Sequence, residues 1–237
     1  MVSNYTGASN YKISYSVDLV FCIDCTGSMT GLLDMVKNNA ITFYQDLTNA
    51  MTAKHKYIDP LRIRVVAFRD YLADGASNAM LTTDFFTLPD DAASFEAAVR
   101  SLHADGGGDD PEDGLEALAY AIRSKWNPSG TKRRQVIVVW TDAPTHPLGF
   151  AAKDPGYPNG MPKNLDELTT WWGTPERPGY VDSDAKRLLL FAPDQPAWNF
   201  LSDNWDNVLH YPSAAGNGLQ ELEYNQIINA ICNTIGK

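Results

Sequence analysis

The stretch VFCIDCTGSM, from Val20 to Met29, decides the fold. It begins as an apolar run and stops at Asp24, after which Thr26 and Ser28 follow at every second position. A near-continuous apolar run is typical of a parallel strand that is buried on both faces of its sheet. The stretch therefore predicts a central strand that is followed by a carboxylate and two hydroxyls.

Similar apolar runs recur along the chain. They are separated by segments whose apolar residues are spaced three and four apart, as on the buried face of a helix. This alternation predicts a doubly wound α/β fold, with a mostly parallel sheet and helices on both faces. We expect six strands, one of them a short antiparallel strand at an edge. The predicted strands are 17–24, 61–68, 85–88, 135–142, 187–192 and 207–211.

The chain has 237 residues, which suits one large domain. We expect an N-terminal extension over 1–14 and a single domain over 15–237. Region 143–186 is irregular and rich in proline, glycine and tryptophan. We interpret it as an insertion with a task of its own, because long loops without strands are uncommon. Within it, Asn164 and Gly173 are suited to begin and end a short helix.

The composition argues against several classes of partner. The net charge is −10, and an acidic surface repels nucleic-acid backbones. No apolar stretch approaches about 18 residues, so we expect no contact with a membrane. No secretory signal is visible at the N-terminus, and three cysteines argue against a disulfide framework. We therefore expect a cytoplasmic protein in which Cys22 and Cys25 are buried apolar residues.

Two predicted strands lead directly into an aspartate, Asp24 or Asp142. If these strands are neighbours, two carboxylates meet at the carboxyl edge of the sheet, where ligands of such sheets bind. Neither motif contains a Lys or Arg, so a divalent cation would offset the repulsion. The hydroxyls of Thr26 and Ser28 add oxygen donors, and an all-oxygen set favours Mg²⁺, Mn²⁺ or Ca²⁺. The alternatives are that these hydroxyls cap a helix and that the acidic stretch 104–113 is a solvated loop.

Taken together, these motifs resemble the von Willebrand factor type A domain with its metal-ion-dependent adhesion site. The first motif of that family, Asp-x-Ser/Thr-x-Ser, matches Asp24, Thr26 and Ser28, and the third matches Asp142. The resemblance covers roughly residues 15–235. The segments DCTGSM, FRDY and GGGDDPED are similar to a subfamily found in bacterial and alpha-kinase-linked proteins.

The second motif of the family departs from the usual pattern. Where the family has a threonine after glycines, this chain has Asp109, with Asp110 as an alternative one residue on. The resemblance implies a metal site of Asp24, Asp109, Asp142 and the two hydroxyls. It also implies a protein partner whose acidic side chain completes the coordination. A carboxylate at position 109 would reduce the need for that acidic side chain, because it already adds negative charge to the ion.

The expected function is a non-catalytic, metal-dependent protein-binding module, in signalling, stress response or assembly. One alternative is a magnesium-dependent phosphohydrolase with Asp24 as nucleophile, although such enzymes usually carry a second acid where this chain has Thr26. Another alternative is a metal-free scaffold. Trp171 and Trp172 are candidate partner-binding residues, in an insertion that starts beside Asp142.

Overall fold

β1 (Ser14–Asp24) is the central strand in the computed structural model, which describes residues 14–107 and 111–236. The other strands are β2 (Tyr57–Phe68), β3 (Met80–Thr82), β4 (Phe86–Leu88), β5 (Arg133–Trp140), β6 (Lys186–Pro193) and β7 (Val208–Ser213). A 3₁₀ turn precedes the first helix, at Gly27–Met29. The helices are α1 (Thr30–Asn39), α2 (Phe43–Thr52), α3 (Ala76–Ala79), α4 (Ala92–Arg100), α5 (Gly114–Ile122), α6 (Leu165–Trp172), α7 (Pro196–Asn204) and α8 (Tyr224–Gly236).

The described residues form a seven-stranded sheet with the order β3-β2-β1-β5-β6-β7, and β4 also pairs with β2. β1, β2, β5, β6 and β7 run parallel, and β3 and β4 are antiparallel to β2. The predicted doubly wound α/β fold is confirmed. The prediction of six strands with one antiparallel strand is short by one, because β3 has only three residues and no apolar alternation.

Alternate side chains of β1 face two separate hydrophobic cores. Leu19 and Phe21 belong to the core that is covered by α1, α2, α4 and α8. Val20 and Cys22 belong to the core that is covered by α5, α6 and α7. Because successive side chains of a strand point to opposite faces, an unbroken apolar run is what a strand between two cores requires.

The strand order reverses between β1 and β5, which are hydrogen-bonded neighbours. β1 is followed along the chain by β2 on one side, whereas β5 lies on the other side. The loops that leave β1 and β5 therefore diverge, and the crevice between them is the position where ligands bind in folds of this type. Asp24 and Asp142 both lie at this switch point.

The segment between β5 and β6 runs from the carboxyl end of one strand to the amino end of the next. It contains α6, whose N-cap residue Asn164 accepts a hydrogen bond from the Glu167 backbone N–H at 2.9 Å. Gly173 ends the helix with a φ of 75°, as predicted. Ser14 already belongs to β1, and the rest of the predicted N-terminal extension lies outside the described residues.

All three cysteines are free and buried, namely Cys22, Cys25 and Cys232. Burial raises the pKa of the Cys25 thiol to about 12, so this thiol is protonated at neutral pH. The interpretation of Cys22 and Cys25 as buried apolar residues is consistent with this environment. None of the described helices has the length and apolar character needed to cross a membrane.

Candidate metal site at the carboxyl edge of the sheet

Asp24 is the last residue of β1 and is 0 % exposed. One carboxylate oxygen accepts hydrogen bonds from the backbone N–H of Thr26 at 2.9 Å and from its hydroxyl at 2.7 Å. The other oxygen accepts a hydrogen bond from the Thr141 hydroxyl at 2.7 Å. Sequence reasoning missed Thr141, although it directly precedes Asp142 in the motif WTD. The Asp24 carboxylate is thus held in one orientation by the loop after β1 and by the residue that follows β5.

Asp142 follows β5 and faces the same crevice. Its Oδ1 accepts a hydrogen bond from the Ser28 hydroxyl at 3.0 Å, and Ser28 Oγ lies 3.4 Å from Thr26 Oγ1. The four predicted residues that fall within the described ranges therefore meet as a continuous set of oxygen atoms. They are Asp24, Thr26, Ser28 and Asp142.

A further loop, between β7 and α8, completes the surroundings of Asp142. The backbone N–H of Gly218 donates to Asp142 Oδ2 at 2.7 Å. A Cβ atom at Gly218 would lie 2.1 Å from the Ser28 carbonyl oxygen, so only glycine fits at this position. Sequence reasoning missed this loop, and the glycine pair in AAGNG was the signal that marks it.

The site carries negative charge without a basic partner. Within the described part of the chain, no Lys, Arg or His forms an ion pair with Asp24 or Asp142. Burial raises the pKa of Asp24 to about 6, hydrogen bonds from Thr26 and Thr141 oppose the shift, and the charge of Asp142 adds to it. An uncompensated pair of carboxylates with two hydroxyls fits a hard divalent cation in its donor chemistry.

The loop of the second motif is described only up to Gly107. A Cβ atom at Gly107 would lie 2.8 Å from Thr26 Cβ, so the loop passes directly against the first motif. Asp109 and Asp110 lie outside the described residues, and their part in the site stays a prediction. Among the described residues, no group of three or more His, Cys, Asp or Glu side chains is arranged to hold a metal ion. The described donors are two carboxylates and two hydroxyls.

A buried contact between a histidine and an aspartate lies next to this site and joins two of its loops. His146 Nε2 lies 2.7 Å from Asp70 Oδ2, and Asp70 Oδ1 accepts hydrogen bonds from the backbone N–H groups of Leu72 and Ala73. The backbone N–H of His146 donates to the Glu112 carbonyl at 2.9 Å. The loops after β2 and β5 are thus fixed to each other and to the segment that precedes α5.

Two more buried carboxylates, Asp113 and Glu116, lie at the start of α5, where Asp113 interacts with Asp70 and His146. Asp113 accepts a hydrogen bond from the Tyr71 backbone N–H at 2.6 Å, and Glu116 accepts one from the Tyr157 hydroxyl at 2.8 Å. Burial raises the pKa of Asp113 to about 7, and the charge of Glu116 raises it further. Burial also raises the pKa of Glu116. These acids hold the loops together from inside and are not exposed to a ligand.

Trp171 and Trp172 lie at the opposite edge of the sheet from the metal-site residues. Trp172 is 1 % exposed and stacks on Trp205 with ring centroids 5.2 Å apart. The Nζ of Lys186, the first residue of β6, donates to the Gly173 carbonyl at 2.6 Å. Because β6 begins at the amino edge, the end of the insertion has to lie there too. The two tryptophans are therefore not part of a face centred on Asp142, and Trp172 is a core residue.

The sequence was compared with known families and proteins. Residues 18–149, more than half of the chain, match the family described as von Willebrand factor A domain. The alpha-protein kinase vwkA of Dictyostelium discoideum is 31 % identical over 161 residues, which are 67 % of this chain and 24 % of that protein. The putative ariadne-like RING finger protein R811 of Acanthamoeba polyphaga mimivirus is 31 % identical over 132 residues, 55 % of this chain and 11 % of that protein. The chain thus spans about a quarter or less of these relatives.

Solved structures with a similar fold include a pilus adhesin, SpaC from Lactobacillus rhamnosus GG. One form of SpaC is 12 % identical with a TM-score of 0.48, over 93 % of this chain and 30 % of the adhesin. The vWF domain of the pilus tip protein Mfa5 from Porphyromonas gingivalis is 19 % identical with a TM-score of 0.37, over 55 % of this chain and 38 % of that domain. With TM-scores below 0.5, these likenesses do not bear on function.

Proposed function

Because the chain belongs to the von Willebrand factor A domain family, we propose that it is a non-catalytic protein-binding module that depends on a divalent cation. Domains of this family commonly mediate protein–protein binding. The observation that carries the proposal is the meeting of four oxygen-bearing side chains at the carboxyl edge of the sheet. No basic side chain among the described residues is ion-paired to them.

The proposed ligands are Asp24, Thr26, Ser28 and Asp142, together with Asp109 or Asp110 from the second motif. Carboxylate and hydroxyl oxygens suit Mg²⁺ first, and Mn²⁺ or Ca²⁺ as substitutes. When bound, such an ion supplies positive charge that attracts an acidic side chain of a partner. Thr141 and Gly218 orient the two carboxylates, because each donates a hydrogen bond to the oxygen that faces away from the hydroxyls.

The geometry does not favour the phosphohydrolase alternative. A nucleophilic aspartate needs an accessible oxygen within reach of the reacting phosphorus. Asp24 is 0 % exposed, and both of its oxygens accept hydrogen bonds from neighbouring residues. We therefore propose no catalytic residue, and we propose a cytoplasmic location because three free, buried cysteines are typical of a reducing compartment.

Thermal unfolding with and without Mg²⁺ tests the metal site. An ion that binds only the folded chain stabilises it by about 2.7 kcal/mol at a hundredfold excess over its dissociation constant. We expect this gain in the wild type and in Asp90→Ala, a control at an exposed turn residue, and no gain in Asp24→Ala. Equal gains in the wild type and Asp24→Ala would contradict the assignment, and no gain in either protein would favour the metal-free scaffold.

The second motif is tested by two single substitutions. If Asp109 is a ligand, Asp109→Thr weakens Mg²⁺ binding and Asp110→Asn leaves it unchanged. We also expect Asp109→Thr to strengthen binding of an acidic partner peptide, because the ion then carries less compensating negative charge. Calorimetric titration of Mg²⁺ separates the two residues, and the reverse pattern would identify Asp110 as the ligand.

The partner surface is proposed to include two exposed apolar residues at the carboxyl edge. Phe150, 54 % exposed, stacks on His146 with ring centroids 4.1 Å apart, and Leu72, 53 % exposed, is held by Asp70. The buried Asp70–His146 pair therefore fixes both residues relative to the metal-site loops. Aromatic side chains in such positions commonly dominate the binding energy of interfaces.

Affinity capture of partners on immobilised chain tests this surface. We expect a protein that is retained with Mg²⁺, released by chelator and lost with Phe150→Ala, while that variant keeps its melting temperature. Ile41→Ala is a matched control, since Ile41 is 61 % exposed on the stretch between α1 and α2. If the partner is retained equally well in the presence of chelator and on the Phe150→Ala variant, the proposal is contradicted.

A further inference from the structure

A second polar site lies away from the metal site, between the middle of β2 and the end of α5. It is an open cleft of about 540 Å³ whose lining includes four cations, Arg62, Arg64, Arg123 and Lys125, and one acid, Asp84. We call it the basic cleft. A concentration of cations stands out in a chain whose net charge is −10, because most of the surface has the opposite sign.

The fold explains why the cations gather at this point. β3 pairs with Val66–Phe68 of β2 and β4 pairs with Leu61–Ile63. The chain between these two strands therefore arches past the middle of β2. Arg62 and Arg64 are two residues apart on that strand, so their side chains leave the same face, and both reach the segment at the end of α5.

Arg64 is held rigidly but has no anionic partner. Its Nε donates to the Thr83 carbonyl at 2.9 Å, and its Nη1 donates to the Ser124 hydroxyl at 2.7 Å and to the Tyr120 carbonyl at 3.3 Å. No carboxylate among the described residues forms an ion pair with it. Burial lowers the pKa of the Arg64 guanidinium, and the nearby charge of Asp84 only partly opposes this shift.

The remaining cations differ in how far they are neutralised. Arg62 is paired with the buried carboxylate of Asp18 at 2.6 Å and lies 4.4 Å from the centre of the Phe85 ring. Arg123 donates to the Gly160 carbonyl, and neither it nor Lys125 forms an ion pair with a described residue. Arg64, Arg123 and Lys125 are therefore not ion-paired within the described residues, and with Asp84 as the one acid in the lining the basic cleft keeps an excess of positive charge.

We propose that the basic cleft binds a phosphate group, either as free inorganic phosphate or as a phosphorylated side chain of another protein. A phosphate dianion matches this excess of positive charge better than a single carboxylate does. The guanidinium of Arg64 has a fixed orientation, because its Nε and Nη1 already donate to neighbouring residues, and its Nη2 is left to donate to a phosphate oxygen. The proposal is independent of the metal site, which lies at the other edge of the sheet.

The decisive test compares two exposed lysines by charge reversal. Lys125 lies in the basic cleft, whereas Lys153 lies in the insertion outside it. Titration of the full chain with inorganic phosphate and with a phosphoserine peptide, both without Mg²⁺, is followed by amide chemical shifts. We expect shifts that map to the cleft, and affinity at least about tenfold weaker in Lys125→Glu, which corresponds to about 1.4 kcal/mol. We expect Lys153→Glu to lose less than twofold.

Further arms identify the source and the geometry of the anion. A phosphoserine peptide that binds more tightly than inorganic phosphate indicates a phosphorylated partner, and equal affinities indicate the free ion. Arg64→Lys keeps the charge but loses the guanidinium and its hydrogen bonds to Thr83, Tyr120 and Ser124, so we expect weaker phosphate binding together with a loss of stability. Lys125→Glu should bind phosphate more weakly at an unchanged melting temperature. Asp24→Ala should bind phosphate like the wild type.

Two results would overturn the proposal. One is chemical shifts that do not map to the basic cleft. The other is an equal loss of affinity in Lys125→Glu and Lys153→Glu, because that would show a general effect of net charge. If Arg64→Lys does not fold, the comparison of the two exposed lysines still decides the question, since within the described residues neither lysine side chain donates a hydrogen bond.

Discussion

The two edges of the sheet differ in their unpaired charges, because acids at the amino edge, such as Asp182 and Asp206, are ion-paired with Arg133 and Lys186. At the carboxyl edge lie buried or partly buried carboxylates, such as Asp24, Asp113 and Asp142, and at the amino edge lie the cations of the basic cleft. Helices that follow parallel strands begin at the carboxyl edge and end at the amino edge. Their positive ends therefore face the acids and their negative ends face the cations, which favours this separation of charge.

Two helices illustrate the rule. Asp113 directly precedes α5, and Arg123 directly follows it. At the end of α8, Lys56 and Arg134 donate hydrogen bonds to the Gly236 and Ile235 carbonyls. The direction of the chain thus decides which edge of the sheet favours acidic side chains and which favours basic ones. The proposed cation site and the proposed anion site can therefore coexist on one small domain.

The largest expected effect concerns the core under the amino edge. Trp172→Ala should cost about 3–5 kcal/mol of unfolding free energy, as is typical for a buried tryptophan. It removes the stacking on Trp205 and the hydrogen bond to the Asp206 carbonyl. Because this residue lies at the amino edge, the gain in stability on adding Mg²⁺ should be the same as in the wild type. Chemical denaturation with and without Mg²⁺ measures both quantities.

Trp171→Ala provides the matched control for that substitution. Trp171 is partly exposed and contacts Tyr180 edge to face, so we expect a loss below about 2 kcal/mol. If Trp172→Ala reduces the response to Mg²⁺, the two edges are coupled through the sheet. The separation that we draw between them would then be wrong.

The sequence predicted most of the strands and the four residues that meet at the carboxyl edge because both depend on local patterns. The apolar run before Asp24 predicts the central strand β1. Thr26 and Ser28 follow Asp24 at every second position, which predicts that their hydroxyls lie on the same side of the loop as its carboxylate. β3 was not predicted, because a strand of three residues is too short to show an alternation of apolar and polar side chains. The fold, by contrast, was enough to locate Trp172, since a crossover between parallel strands has to end at the amino edge.

Contacts between distant loops could not be read from local patterns. The partnership of Asp70 with His146 joins the loops after β2 and β5, and neither residue lies in a motif that points to the other. The approach of Gly218 to Asp142 depends on the position of β7 beside β6. Such contacts follow from tertiary packing, which becomes known only when the order of the strands is known.

The next effect concerns the pH dependence of the carboxyl edge. The pKa of Asp113 is about 7 in the folded chain, compared with 3.8 for an unperturbed aspartate. Between these two pH values the folded chain therefore binds more protons than the unfolded chain. Stability should therefore rise as the pH falls from 7 towards 4, by at most about 1.4 kcal/mol per pH unit for one group. Glu116, Asp70 and His146 face Asp113 and shape this shift.

Asp113→Asn isolates this contribution, because its oxygen can still accept the hydrogen bond from the Tyr71 backbone N–H. The other groups of the cluster are present in both proteins. We expect the variant to be more stable than the wild type at pH 7.5 and to lose that advantage at pH 4.5. Unfolding curves at several pH values measure the difference, and a constant difference across the range would contradict the raised pKa.

The smallest expected effect concerns Asp142. The change in stability caused by Asp142→Asn should have opposite signs in chelator and in Mg²⁺. In chelator, Asp142→Asn should stabilise the chain by about 1 kcal/mol, the scale of one screened repulsion between two charges. The substitution is nearly isosteric. Its oxygen can accept the hydrogen bond from the Gly218 N–H, and its amide can donate to the Ser28 hydroxyl, which then rotates to accept. Little but the negative charge is lost.

With Mg²⁺ the order should reverse, because the variant lacks a ligand carboxylate and gains little from the ion, whereas the wild type gains about 2.7 kcal/mol at a hundredfold excess. Denaturation curves of both proteins in chelator and in Mg²⁺ measure the crossing, with Asp90→Asn as a control for general charge effects. If Asp142→Asn is less stable than the wild type in both conditions by the same amount, Asp142 acts through its hydrogen bonds alone. Asp142 would then not be a ligand, and the helix ends that face the carboxyl edge would be enough to explain why it is acidic.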